Sequence, residues 1–303
     1  MSLASKTTNE FVSIAQVPME RQRNGTSREY DTVFQPRLLN HSTRRNFSTW
    51  LLILPGLLLL SLFALPLFAL TMRAINAEFL TYVFSEQALH ALRLSLTTSV
   101  LTVLITILGG TPLAYILARW KFSPKPYLEL LIDLPIVLPP SVAGIALLIA
   151  FGRQGMFGPV LNSLKISLPF TVAAVIVAQT FVAAPLYVRS ARIGFAEIDI
   201  QIEEAARVEG ANQWQLFSYV MFPLAGRALI SGAILTWTRA LGEFGATMLF
   251  AGNLEGITQT MPMAIYLGFE RNLGIAIALS VVLISFSVIL LTITRHLEQR
   301  NVH

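Results

Sequence analysis

Few side chains in this chain have chemistry to offer, and two groups of them are placed with regular spacing. In the first, the adjacent carboxylates Glu203 and Glu204 are followed by Ala205 and Ala206, then Gly210, then Pro223. Asp199 stands where it would cap a short helix, and acids in the first turns of that helix suit the positive end of its dipole. Gly210 supplies a residue able to turn left-handed and end it. Trp214, Phe217, Val220 and Met221 then repeat at helical spacing, with Pro223 expected to close the segment. The pattern predicts a helix–turn–helix whose first helix faces solvent. That is a docking element rather than a reaction centre, and the plainer alternative is an amphipathic interfacial helix. In the second group, Arg239 and Glu243 lie four apart within an apolar run, so they share a helix face. An unpaired charge at mid-membrane costs about 2.5–3.5 kcal/mol on insertion scales, so the two are expected to pair or to face a polar path.

Other chemistry is missing. There is no G-x-x-x-x-G-K-[ST] phosphate loop, so this chain does not bind ATP in that manner. With no cysteine there is neither a disulfide nor a thiolate metal site. His41, His90, His296 and His303 are scattered, with no metal-ligand spacing, so neither metal nor cofactor is implied. Acids within the apolar runs, the usual equipment of ion-coupled carriers, are reduced to Glu243 and, near one end of a run, Asp133.

The elements that must position these residues are long apolar helices. Apolar residues make up 54% of the 303 and charged residues only 13%, with mean hydropathy +0.63. A soluble domain of that composition would have too little polar surface to face water. Crossing the ~30 Å hydrocarbon core takes about 20 helical residues. Candidate spans are Trp50–Thr71, Leu94–Ala118, Leu130–Phe151, Phe170–Val188, Ala228–Phe250 and Leu273–Thr294. The fourth is short and edged by Pro185.

Residues 1–48 read as a polar tail, 49–296 as one membrane domain with an internal loop at 197–223, and 297–303 as a short tail. The net charge of +5 follows membrane topology rather than a nucleic-acid partner. With the N-terminus inside, Arg and Lys crowd the tail and the inner loops, while outside fall only Arg73, Arg93, Arg153, Lys165 and Arg271. By the positive-inside rule both termini are expected in the cytoplasm. In the third span Pro135, Pro139 and Pro140 remove backbone donors, so that helix must kink or unwind, beside protein or a water-filled path. Gly242, Gly245 and Ala246 permit close helix packing, expected against a second copy of the chain.

The loop residues Glu204-Ala205-Ala206, Gly210 and VMFP at 220–223 are similar to the EAA loop of ABC-importer permeases, with Val and Phe at two positions where that pattern has Ile and Leu. Two more stretches resemble the molybdate/tungstate and sulfate branch of that family. They are LPIVLPPSVAG at 134–144 with FGRQG at 151–155, and RALGEFGATMLFAGN at 239–253 with TQTMPMAIY at 258–266. The phrase GEFGAT is nearer the molybdate members.

The resemblance implies an all-α polytopic membrane protein of about six transmembrane helices with the type I ABC importer permease fold, in a bacterial inner membrane. It implies two copies forming one path, two ATP-binding cassette subunits docked through Glu203, Glu204, Ala205, Ala206, Gly210 and Pro223, and an extracytoplasmic oxyanion-binding protein. Pro139, Pro140, Ser141, Arg239, Glu243, Gly245 and Thr247 are expected in the path or at a helix interface. Among them Ser141 and Thr247, together with Thr258, suit weak contacts to an oxyanion. Rival readings are a sulfate permease, a carrier or channel acting without an ATPase, and a membrane scaffold without transport.

Overall fold

A computed structural model describes residues 47–75 and 78–299, and those residues are helical apart from turns and loops. In chain order the helices are α1 (Phe47–Ala74), α2 (Phe79–Val83), α3 (Glu86–Arg119), α4 (Lys125–Val137), α5 (Pro140–Phe151), α6 (Gly158–Ser163), α7 (Val172–Ala196) and α8 (Ile200–Val208). They continue as α9 (Gln213–Gln215), a π-helical stretch (Leu216–Met221), α10 (Phe222–Leu224), α11 (Gly226–Leu241), α12 (Gly245–Ala251), α13 (Met261–Arg271) and α14 (Leu273–Gln299). By compactness the chain divides into Met1–Leu57 and Leu58–His303, and everything from α2 onward belongs to the second unit. The expected polar tail lies outside the described residues apart from its last two. At the other end α14 runs through position 297 without a break.

Four helices hold stretches long and apolar enough to cross a membrane, Ile53–Ala74, Glu86–Arg119, Val172–Ala196 and Leu273–His296. Two bent pairs pass the same test together: α4 with α5, bent by 118°, and Gln213–Leu224 with α11, bent by 70°. Counting each pair as one span gives six. Many large apolar side chains are exposed, including Leu101, Leu104, Ile105 and Leu108 on α3, the inverse of a water-soluble surface.

The second expected span begins earlier, at Glu86, and three others are broken or extended. The third is two helices. Leu138 precedes Pro139, which precedes Pro140, and a residue before proline is driven out of the helical region. Both Leu138 (ψ 135°) and Pro139 (ψ 136°) are extended, so the helix ends and restarts in a new direction. The fourth runs from Val172 to Ala196, and Pro185 sits inside it without ending it. Tyr187, Val188 and Ala191, all buried, hold the helix after that proline, so packing overrides the local preference. The expected fifth span, Ala228–Phe250, is interrupted at Gly242–Phe244, and its membrane-length partner is the bent segment before it.

The core is built around α7. Tyr187, Phe195, Leu117, Leu216 and Met221 pack at one end, and Ala174, Val175, Ala178, Ala246 and Phe250 at the other. A third cluster joins Ala88, Leu241, Met261 and Leu279 across α3, α11, α13 and α14. Outside the spans, the Tyr82 ring lies against Gly274, where a Cβ would collide with it. The Tyr82 hydroxyl donates to Glu78 Oε2 at 2.8 Å, and that carboxylate raises the phenol pKa above its ordinary value.

The close glycine approach at α12 is made within this chain. A Cβ on Gly245 would stand 2.6 Å from Pro140 Cβ, part of a rigid ring, and one on Gly144 would stand 2.9 Å from the Ala246 carbonyl oxygen. Gly242 has room, since its Cβ would meet only Thr238 O at 3.7 Å. Gly245→Ala is therefore expected to push α12 off α5 and lower stability by about 1–3 kcal/mol. Gly242→Ala is expected to leave the detergent melting temperature near that of the unaltered protein. Equal melting temperatures for the two variants would contradict this packing.

Candidate functional site

The loop helix α8 forms as its sequence dictates. Asp199 is its N-cap, with Oδ1 accepting from Gln201 N at 2.9 Å. At the other end Gly210 adopts φ +91°. Gly210 N donates to Arg207 O at 3.0 Å and Ala211 N to Ala206 O at 3.0 Å, the paired bonds of a Schellman motif. A Cβ on Gly210 would touch nothing within 4 Å, so glycine is required there for its backbone angle rather than for space.

Along α8 the two adjacent acids part company. Glu203 is buried at 6% exposure, whereas Glu204 and Ala205 are exposed and Ala206 is half-buried against the core. Glu203 Oε2 lies 3.5 Å from Arg119 Nε at the last turn of α3, and its Oε1 accepts from Arg207 Nη2 at 2.7 Å. Arg119 also donates from Nη2 to Ile198 O at 2.6 Å, just ahead of α8. Arg119 Nε is buried and makes no hydrogen bond, so its compensation is the charge contact with Glu203. A neighbouring ion pair, Arg192 Nη1 to Glu129 Oε1 at 2.5 Å, ties α4 to α7. At its N-terminal end α8 borders a cleft of about 440 Å³ lined by Gly194, Asp199, Ile202, Leu224 and Ala228 among others.

The return segment begins with a capping box between Asn212 and Gln215, at 2.9 Å in both directions. It then winds into the π-helix. In an α-helix residues five apart face different ways, whereas i→i+5 bonding brings them towards one face. Leu216 and Met221 are accordingly both fully buried. Trp214, expected on the apolar face, is 71% exposed, while Phe217 and Val220 pack against the core as expected. Pro223 does not close the segment. It sits within α10, and the chain bends after it, at Ala225.

The residues expected along a path meet at the two breaks. Glu243 is 1% exposed. Its Oε1 accepts from Ala246 N at 2.8 Å, capping α12, and its Oε2 lies 2.8 Å from Arg239 Nη1 as a charge contact rather than an aligned hydrogen bond. The next residues of α12 lie against the other break. Gly245 faces Pro140 and Ser141 N, and Gly144 faces Ala246. Pro139, Pro140, Ser141, Gly245 and Glu243 are thereby gathered at one seam. Thr247 is fully buried and its Oγ1 has no hydrogen-bond partner among the described residues. Thr258 is buried but occupied locally, accepting from Leu254 N at 3.0 Å. No group of acids and histidines able to hold a metal occurs among the described residues.

One polar feature is absent from the sequence reading. Ser95, Thr98, Ser99, Thr102 and Thr106 form a buried stripe along α3. Thr102 donates to Gln179 Oε1 on α7 at 3.1 Å, and Ser99 accepts from Trp237 Nε1 on α11 at 2.9 Å. Ser95 accepts from Met261 N at 2.6 Å, capping α13 from another helix. Further along, Thr111 and Tyr187 share a 2.6 Å hydrogen bond. The spacing of three and four was the available signal.

An all-helical bundle with two broken spans meeting at a seam, and a capped helix tied to the end of a third span, defines a multi-pass membrane protein of the transport class. Residues 110–303 match the family described as binding-protein-dependent transport system inner membrane component, and the chain belongs to that family. It is thus a transport subunit and not an enzyme. The chain is 42% identical over 194 residues (64% of this chain, 74% of the relative) to the molybdenum transport system permease protein ModB of Mycobacterium tuberculosis. It is 37% identical over 185 residues (61% and 81%) to ModB of Escherichia coli K12. To the molybdate/tungstate transport system permease protein WtpB of Thermococcus kodakarensis it is 33% identical over 262 residues (85% and 99%). Among solved structures, a bacterial ABC transporter involved in import of the acidic polysaccharide alginate superposes with TM-score 0.65 at 17% identity, covering 84% of this chain and 95% of that one. That likeness shows the fold alone.

The geometry at Gly210 yields a direct expectation. Gly210→Val places a β-branched residue at φ +91°, at a cost of about 1–3 kcal/mol. Membrane insertion should be unchanged while protease cleavage within 197–223 increases, and an unaltered cleavage rate would count against the left-handed cap.

Proposed function

We propose that this chain is the permease subunit of an ATP-driven importer for molybdate or tungstate, with both termini in the cytoplasm. The observation that carries this reading is the likeness to relatives named as molybdenum and molybdate/tungstate permeases, at 33–42% identity. Two copies line one path, and an extracytoplasmic oxyanion-binding protein delivers the ion. Two ATP-binding cassette subunits dock against α8 through the exposed Glu204 and Ala205, with Ala206, Gly210 and Pro223 shaping the loop and Glu203 holding it to the spans.

Within the path, the seam of Pro139, Pro140, Ser141 and Gly245 offers backbone and hydroxyl groups rather than free cations, with Thr247 buried behind it. An oxyanion meeting such weak donors passes on instead of being trapped. Arg239 is held by Glu243, so the pair stays close to neutral where an isolated guanidinium would bind the ion tightly. The shortage of intramembrane acids fits an energy source on another subunit rather than ion coupling.

Uptake of labelled molybdate in cells lacking this chain, then with it restored, tests the reading. Restored uptake is expected to be blocked by tungstate and little affected by sulfate. Equal competition by sulfate would shift the substrate, and uptake that survives ATP depletion while following the proton gradient would overturn the ATP-driven assignment. Glu204→Lys should weaken ATPase association roughly tenfold, the scale for an altered charge at an interface, with insertion intact. Co-purification of the ATPase with the variant measures this.

A further inference from the structure

We propose that Arg119 is the positioning residue that carries movement of α8 into the membrane spans. This rests on the coupling role assigned to α8 above. The guanidinium makes two contacts to the loop from one place. It donates to Ile198 O at 2.6 Å, ahead of the helix, and it meets the Glu203 carboxylate at 3.5 Å within the helix. Both side chains of the ion pair are largely buried, at 12% and 7% exposure, so solvent screens the contact little.

Elsewhere α8 is held by packing, with Ala206 against the core, and by the turn at Gly210. Its N-terminal end borders the cleft of about 440 Å³ lined by Leu224 and Ala228, and its own Arg207 pairs with Glu203. Among the described residues, the hydrogen bonds and ion pairs between the loop at 197–210 and α3 are those of Arg119.

The far side of Arg119 is equally specific. It is the final residue of α3, whose 34 residues run past the whole core. That helix is joined to α7 through Thr111–Tyr187 and Thr102–Gln179, to α11 through Ser99–Trp237, and to the start of α13 through Ser95–Met261. A displacement of α8 pulls or pushes the end of α3, and α3 is hydrogen-bonded to α11 and α13, the helices before and after the α12 side of the seam. Glu203 therefore serves a different purpose from Glu204. One grips the spans from beneath the loop, and the other is displayed for a partner.

The test uses the full complex of this chain with its ATPase and binding-protein partners in liposomes, reading oxyanion uptake per ATP hydrolysed. In Arg119→Gln, ATPase subunits should stay bound and ATP hydrolysis should continue. Uptake per ATP should fall about tenfold, the upper range of coupling changes caused by residues away from both ligands. Arg119→Lys, which keeps the charge but loses the forked geometry, should fall between. Because the chain has no cysteine, Arg119→Cys with Glu203→Cys can be bridged by a bifunctional thiol reagent spanning the length of the lost pair. Bridging is expected to restore uptake per ATP. Normal coupling in Arg119→Gln, loss of the ATPase subunits from it, or a formed bridge that restores nothing would each overturn the proposal. Failure of the unaltered complex to show any ATP-driven uptake would instead overturn the function proposed above.

Discussion

Hydrocarbon offers no hydrogen bonds, so any helix interrupted inside a membrane must have its freed backbone groups served by the protein itself. The two broken spans here obey that constraint in different ways, and much of the arrangement follows from it. At Leu138–Pro139–Pro140 the donors are absent by covalent structure, since neither proline has an N–H. At Gly242–Phe244 the freed amides exist, and a buried carboxylate supplies an acceptor for one of them, Ala246 N. Glu243 is therefore a backbone cap first, and Arg239 is what makes a carboxylate tolerable at that depth. The same constraint explains Ser95. The start of α13 is buried and its own N-cap residue, Thr260, makes no side-chain bond, so a hydroxyl from α3 reaches across to Met261 N.

The two breaks are also mechanically joined, because the short restarts of both helices pack on each other. Gly245 against Pro140 and Gly144 against Ala246 leave no room for even a methyl group. Contact this close is rigid, so the seam is expected to move as a unit rather than as two independent gates. In the proposed path the restarting helices would present turns and hydroxyls instead of an unbroken apolar wall, which suits a hydrated oxyanion.

Much of this was legible in the sequence, and what was not has identifiable causes. Long apolar runs, the Asp199 cap, the Gly210 terminator and the Pro139–Pro140 pair are local signals, and each acts where its chemistry dictates. The direction taken after a break is not local. Pro139 and Pro140 announce an interruption, but the 118° bend depends on where α5 finds α12. Gly242–Phe244 carries no proline, and a glycine-containing apolar run reads as continuous. Leu216, outside the stripe that a count of 3.6 assigns, is buried with Met221 because the segment from Leu216 winds with π rather than α periodicity. The buried hydroxyls of α3 were hidden for another reason. Ser and Thr satisfy themselves on helix carbonyls within apolar spans, as Thr98 does on Leu94 O, so their presence alone does not reveal which of them face a neighbour.

The adjacent glutamates show most clearly why position in the fold outranks residue type. In sequence Glu203 and Glu204 are equivalent acids in one turn of one helix, and the resemblance implies docking for both. About 100° of helical rotation separates neighbours, enough to send one carboxylate under α8 and leave the other in solvent. The buried one meets two arginines and loses its freedom to greet a partner. The exposed one keeps that freedom but holds nothing. A loop that must both receive a push and deliver it needs both kinds of contact, and adjacent residues on a short helix supply them with the least intervening flexible backbone. The rigidity of that link depends on the turn at Gly210 and the capping box at Asn212, which fix the helix from its C-terminal side, while Arg119 fixes it from below.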